Sequence, residues 1–311
     1  MEPQPEHFIS LPLVNKSEES ASLPLVVNVV AKYWGEDIAP QSAGEARGAA
    51  MIDGIMLTES HGFASYIYKS SIKDLKRRID QGIPPIVIMP GIQGTVQHAM
   101  VVSGYSSEER RMLTYVPEPD TMGAIPEGKF EQDWEQDDMT AIIIIPSDMT
   151  DLLKNESLNF AKSNRVCFEA EGLRQRGKVN EAIEKLCKAT EIEADNAQGW
   201  CLLAGMYNET NSDQAVPCYE RAIKLNPKYY LAYRGLGNYY LKRKDYSFAE
   251  AYYSKAMGVN PTRFGPIYKN RAIARMQLGS NQGAKKDLAR YLEQTPAAED
   301  RKSIEELLTQ L

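Results

Sequence analysis

A recurring order of small and large residues fixes the character of the second half of this 311-residue chain. Tyr233, Leu236, Gly237 and Tyr240 lie at helical spacing, and Ala249, Tyr253, Ala256 and Pro261 follow on a second helical stretch. One period earlier stand Trp200, Leu203, Ala204 and Tyr207, then Ala215, Tyr219, Ala222 and Pro227, with the turn between the helices one residue shorter. An earlier copy holds Ala170, Gly177, Ala182, Leu186 and Ala189; a later one holds Tyr268, Ala272, Gly279, Ala284, Leu288 and Pro296. A two-helix unit repeating about every 34 residues cannot bury its apolar face alone, so it needs neighbours stacked against it. The small positions let paired helices approach closely, and Trp200, Tyr233 and Tyr253 fill the gaps between them. The prolines restart each pair, and residues 303–311 read as a closing helix with one polar side.

Up to residue 146 the periodicity is mixed. Residues 25–34 form an apolar run of helix length. Residues 72–82 are amphipathic, with Leu75 and Ile79 on one face, Lys73, Lys76, Arg77 and Arg78 on the other, and Gly82 as the stop. Residues 85–89, 99–105 and 112–116 are β-type runs, and the polar turn at 106–109 joins the last two as a hairpin. Residues 141–145 supply a fourth strand. Helices followed by a largely antiparallel sheet predict an α+β domain. Residues 148–162 are polar and are expected to carry a lead-in helix. The expected organisation is therefore a domain at 1–147, a linker at 148–162, and about four helical repeats with a cap at 163–311, the two halves being separable.

Residues 163–311 resemble the tetratricopeptide repeat family at the positions named above, so an all-α solenoid that binds a peptide or protein is implied. In that family the first helix of each pair lines the binding face, which places Arg234, Asn238, Lys269 and Asn270 there. Arg234, Asn238 and Asn270 fall where the carboxylate-clamp subclass has a basic residue and two asparagines, implying a ligand with an acidic or C-terminal carboxylate feature. Arg301 and Lys302 in the terminal helix sit out of register for that clamp.

Residues 11–146 resemble the papain-like cysteine peptidases that clip leader peptides at double-glycine sites, known from bacteriocin exporters. Tyr33-Trp34-Gly35 matches the end of the family's first helix, and His98 opens a strand ending in Gly104-Tyr105. Pro117-Glu118-Pro119 stands where the family has its Asn/Asp-Asp-Pro. The departures are at the chemistry: Ser22-Leu23-Pro24 replaces Cys-Gly-Pro, and Lys16 replaces the oxyanion glutamine. A serine hydroxyl is a weaker nucleophile than a paired thiolate, and an ammonium cannot reproduce a short neutral amide donor. The resemblance thus implies a degenerate papain-like domain that holds a peptide without cutting it. A Ser22–His98–Glu118 hydrolase and a pure assembly scaffold are the alternatives. On the residues alone, Ser22 also serves as a helix N-cap, His98 as a strand-start hydrogen-bonding group, Glu118 as a turn carboxylate and Lys16 as a solvated loop lysine.

A net charge of −6 opposes a nucleic-acid partner. No apolar run reaches the roughly 20 residues needed to span a bilayer, so no membrane insertion is expected. The N-terminus lacks signal-peptide character, and a cytoplasmic location is expected. Cys167, Cys187, Cys201 and Cys218 lack CxxC spacing and read as reduced, packed thiols, with no metal or cofactor expected.

Overall fold

The computed structural model describes residues 6–12, 25–38, 51–91, 95–117 and 121–311. Its contacts divide the chain into two compact units, Met1–Met89 with Ala99–Gly199, and Pro90–His98 with Trp200–Leu311.

Among the described residues the sheet has seven strands: β1 (Glu6–Phe8), β2 (Phe63–Lys69), β3 (Ile86–Pro90), β4 (Gln97–Ser106), β5 (Arg111–Val116), β6 (Thr121–Pro126) and β7 (Thr140–Pro146), all in the first unit except Pro90 of β3 and Gln97 and His98 of β4. They run in the order β2-β7-β3-β4-β5-β6, with β1 pairing antiparallel to the far end of β4. The β2–β7, β3–β7, β4–β5 and β5–β6 pairings are antiparallel as well. The runs expected to be strands are β3, β4, β5 and β7, and β4 and β5 form the expected hairpin, with Tyr105 opposite Met112. Ala141 through Ile145 are fully buried in succession, because β7 is covered on both faces.

Helices α1 (Leu25–Tyr33), α2 (Met51–Ser60), α3 (Ile72–Asp80) and α4 (Glu127–Trp134) accompany this sheet. The valines of α1 are poor helix formers, yet Val26, Val27, Val29 and Val30 are all buried, so packing outweighs propensity. The Trp34 indole N–H, just beyond α1, donates to the Ile144 carbonyl at 2.9 Å and pins the helix end to β7. Ser71 caps α3 by accepting from the Asp74 amide at 3.2 Å.

On α3 the structure corrects the sequence reading. Arg78, expected on the solvent face, is fully buried. Its guanidinium meets Glu156, Asp74 at 3.0 Å, the Gln81 amide oxygen at 3.1 Å and the Tyr68 hydroxyl at 3.4 Å. Two carboxylates from different segments make that burial tolerable.

The segment after β7 is a 3₁₀ stretch, Ser147–Leu153, in place of the expected lead-in α-helix. The first helical pair, α5 (Ala161–Gln175) and α6 (Val179–Ile192), then packs within the sheet unit, so that unit continues through the expected linker to Gly199. Phe168 joins the core that holds Ile52 and Ile55. A side chain at Gly172 would meet Ile52 Cγ2 at 2.8 Å, so α5 lies tight on α2. Arg165 grips Glu59 through two bonds of 2.6 and 2.9 Å, and Arg176 pairs with Asp53 at 2.9 Å. In the same unit the Asn196 amide donates to Ser163 and Asn164 at 2.7 and 2.6 Å, and Thr140 donates to Gln198 at 3.2 Å.

The second unit carries α7 (Ala197–Glu209, whose first turn lies in the first unit), α8 (Ala215–Leu225), α9 (Tyr230–Lys242), α10 (Tyr246–Val259), α11 (Pro266–Gln277), α12 (Asn281–Gln294) and α13 (Arg301–Gln310). These are the expected helix pairs and closing helix. Gly235 of α9 lies against the Tyr219 ring of α8, and Gly237 against the Tyr253 ring of α10, too close in both cases for a Cβ. Arg271 and Arg275 of α11 share Asp287 of α12, and Arg275 also reaches Glu250 of α10 at 2.7 Å. None of the four cysteines is in a disulfide.

Because Phe168 sits in the sheet core at 5% exposure, Phe168→Ala is expected to destabilise the sheet unit by about 3–5 kcal/mol. Urea denaturation followed by fluorescence of Trp34 and Trp134 measures this. A loss below about 1 kcal/mol would mean that α5 only rests on that core.

Candidate functional site

His98 is the second residue of β4, directly after the connection from β3. Its Nδ1 lies 2.6 Å from the Pro90 carbonyl oxygen. A carbonyl can only accept, so Nδ1 carries the hydrogen, and in the neutral ring Nε2 keeps its lone pair. Burial holds the imidazole below its ordinary range, the Pro90 bond works against that, and the charge of Arg263 adds to the lowering. Ser22, Lys16 and Glu118, the other positions of the peptidase pattern, lie outside the described residues.

The second cluster stands on α9, α11 and the loop between α10 and α11. Arg234 of α9 stacks its guanidinium over the Phe264 ring at 4.6 Å, and among the described residues no carboxylate pairs with it. Burial pulls this guanidinium below its usual range; the nearby tyrosines, Tyr230 first, oppose the shift, and the charge of Arg263 reinforces it. One turn along, Asn238 Oδ1 accepts from the Tyr253 hydroxyl at 2.8 Å and faces Asn270 Nδ2 at 3.5 Å. Asn270 of α11 is therefore brought to Asn238, which lies one turn from Arg234 on α9. Lys269 is committed elsewhere. Its ammonium pairs with Asp300 at 2.9 Å and lies 5.2 Å above the Tyr291 ring. Arg301 turns back onto its own neighbourhood, donating to the Leu292 carbonyl at 2.8 Å. What remains on this face is a partly desolvated cation next to two amides, a combination that favours an anionic oxygen.

Family comparisons bear on both clusters. A model described as Peptidase_C39 like family matches residues 25–142. Two models described as Tetratricopeptide repeat match residues 207–261 and 236–309. The chain carries a C39-like domain and tetratricopeptide repeats. Tetratricopeptide repeat protein 6 of Homo sapiens is 41% identical over 63 residues, which covers 20% of this chain and 12% of that relative. This chain therefore matches only a small part of that relative's length. Among solved structures, that of MamA is 25% identical, covers 43% of this chain and 73% of its own, and has a TM-score of 0.40. A thermophilic TPR protein of Thermus thermophilus is 21% identical, with 52% and 87% covered and a TM-score of 0.41. Pseudomonas aeruginosa pilF is 19% identical, with 48% and 68% covered and a TM-score of 0.44.

Tetratricopeptide repeats are helix-pair arrays of a kind that commonly presents a surface to other proteins. No helix among the described residues is long and apolar enough to cross a membrane. No group of three or more His, Cys, Asp or Glu among them is placed to hold a metal ion. Sequence reasoning misses Arg263 and Phe264, because it seeks the repeat ligand site on helix faces and these two stand in the loop before α11. The signal available is Arg-Phe-Gly-Pro at 263–266, a cation and an aromatic ring immediately ahead of a helix-starting proline.

The depressed His98 has a stability consequence. The unfolded chain takes up this proton at about pH 6.5, the folded chain only at lower pH. The stability contribution of neutral His98 is thus fully present above about pH 6.5 and is lost as pH falls through the folded value. The imidazole resonance of His98, followed by NMR, should titrate with a midpoint below about 6.5. His98→Gln should flatten the fall of stability that sets in below about pH 6.5. A midpoint at or above the ordinary value would contradict this.

Proposed function

We propose that this protein is a non-catalytic, peptide-holding adaptor. The repeat array takes a protein partner through an acidic or C-terminal carboxylate feature, and the C39-like domain holds an extended segment without cleaving it. The observation that carries the array's part is Arg234, a partly buried guanidinium stacked on Phe264 with no carboxylate partner among the described residues. An arriving carboxylate replaces the water that Arg234 has lost, and Asn238 and Asn270 stand beside it as amide groups. Lys269 contributes through its pairing with Asp300 to the shape of the face and gives no free charge.

The non-catalytic reading of the C39-like domain rests on the sequence at Ser22 and Lys16. One missing oxyanion donor alone costs about 10²–10³ in rate, before the change of nucleophile is counted. The hydrolase reading draws support from His98, whose neutral ring and Nδ1 bond to Pro90 leave Nε2 able to accept a proton. One experiment separates the two. Incubation with a diverse peptide library, read by mass spectrometry, is expected to show no turnover above a Ser22→Ala control. Reproducible cleavage lost in that control would establish the hydrolase instead.

For the array, Arg234→Ala is expected to weaken binding of a partner peptide ending in a free carboxylate by about tenfold or more, the range of a charge-assisted hydrogen bond. Asn238→Ala should weaken it less, and the wild-type affinity should fall with added salt. Isothermal titration against the same peptide with an amidated terminus provides the comparison. Equal affinity for the acid and the amide, unchanged in both variants, would rule out the carboxylate mode.

A further inference from the structure

The connection between β3 and β4 is described at Pro90–Gly91 and Thr95–His98, and it belongs by its contacts to the unit that holds α8 to α13. The reason lies at one carbonyl. Val96 O accepts the Gly91 amide at 3.0 Å, closing the neck of the connection, and it also accepts Nη2 of Arg263 at 3.3 Å. Gly91 is required there, because a Cβ would collide with the backbone of Thr95 and Val96. Arg263 is 4% exposed, and its guanidinium lies 4.5 Å above the ring of the fully buried Tyr230. Burying a guanidinium is costly unless its donors are used, and the Val96 carbonyl and the Tyr230 face offset part of that cost. Two residues beyond Val96 comes His98, whose Nδ1 is bound to the other arm of the same connection at Pro90.

We propose that the repeat array is a receptor for the chain's own β3–β4 connection, with Arg263 as the positioning residue that holds Val96 and thereby sets the place of His98. The array then has two occupants of different chemistry. A backbone carbonyl from the same chain sits on Arg263, and the neighbouring position at Phe264 and Arg234 is left for a partner. Arg263 and Arg234 repel each other, and Arg263 lies close enough to His98 to bear on its protonation. Lysine would not serve equally, since it lacks the planar face that lies on Tyr230 and the fork that reaches past it.

Hydrogen–deuterium exchange on the full chain, without added ligand, tests this. In Arg263→Ala, peptides covering residues 90–98 should exchange about tenfold faster, whereas those covering β7 keep their wild-type rate. The His98 titration midpoint, measured by NMR, should rise in the same variant, because both the exposure of the ring and the loss of the Arg263 charge act in that direction. Arg263→Met keeps an apolar stem against Tyr230 and removes the donor and charge, so it serves where the alanine variant fails to fold, with the same two shifts expected. From the opposite side, Gly91→Ala should speed exchange at residues 262–265. Unchanged exchange at 90–98 together with an unmoved His98 midpoint, in either folded Arg263 variant, overturns the proposal. Because no partner peptide is present, this result is independent of whether Arg234 binds a carboxylate.

Discussion

Two glycines on one helix set the geometry on which the repeat unit depends. Gly235 lets α9 close onto the Tyr219 ring, and Gly237 lets the same helix close onto the Tyr253 ring. Each contact replaces a side chain by the face of a large buried aromatic, which gives dense packing with little lost conformational freedom. The consequence for chemistry is direct, because Arg234 precedes the first glycine and Asn238 follows the second. Tyr253, held against Gly237, spends its hydroxyl proton on Asn238 and so orients that amide. Burial raises the phenol of Tyr253 well above its ordinary range, so it stays a neutral donor throughout the physiological range.

The same logic of one large group in one small gap explains why the solenoid is readable from sequence. The Gly, Ala, Tyr and Pro positions recur at a fixed period, and each recurrence reports the same packing contact. The sheet unit offers less. β7 is evident from its isoleucines and β4–β5 from the polar turn, but α2 is interrupted by Gly54 and β2 mixes serine and lysine among its aromatics, so neither shows a clean period. Arg78 shows a different limit. Its charge suggests the polar face, but three residues from Leu75 it flanks the apolar stripe of α3, and Asp74 together with Glu156, distant in sequence, makes its burial possible. At the candidate sites, the helix-borne residues Arg234, Asn238 and Asn270 follow from register. Arg263, Phe264 and the Pro90 carbonyl depend on loop conformation, which register does not encode. Lys269 is placed by register as well, but its commitment to Asp300 comes from the segment leading into the closing helix and cannot be counted from α11 alone.

The first helix pair shows how a repeat can change allegiance without changing its pattern. α5 and α6 have the small positions of the other pairs, with Ala170, Ala182 and Ala189 fully buried. Yet α5 also presents Phe168 to the sheet core, and Arg165 and the neighbouring Arg176 to carboxylates on α2. Gly172 allows that approach as Gly235 and Gly237 allow theirs, so the same device that stacks repeats here joins a helix to a different architecture.

An ordinary solenoid can gain or lose a repeat at any internal boundary, since every interface resembles the next. Here the pair α5–α6 is bespoke on the side that meets the sheet and α2. A whole repeat inserted between α8 and α9, inside the second unit, would meet interfaces of the ordinary kind and would leave Phe168, Arg165 and Arg176 where they are. The same insertion before α5 would strip the sheet of its cover and offer it a helix with neither the phenylalanine nor the arginines. Natural variation in repeat number across proteins of this architecture should therefore accumulate among the helix pairs that follow α7.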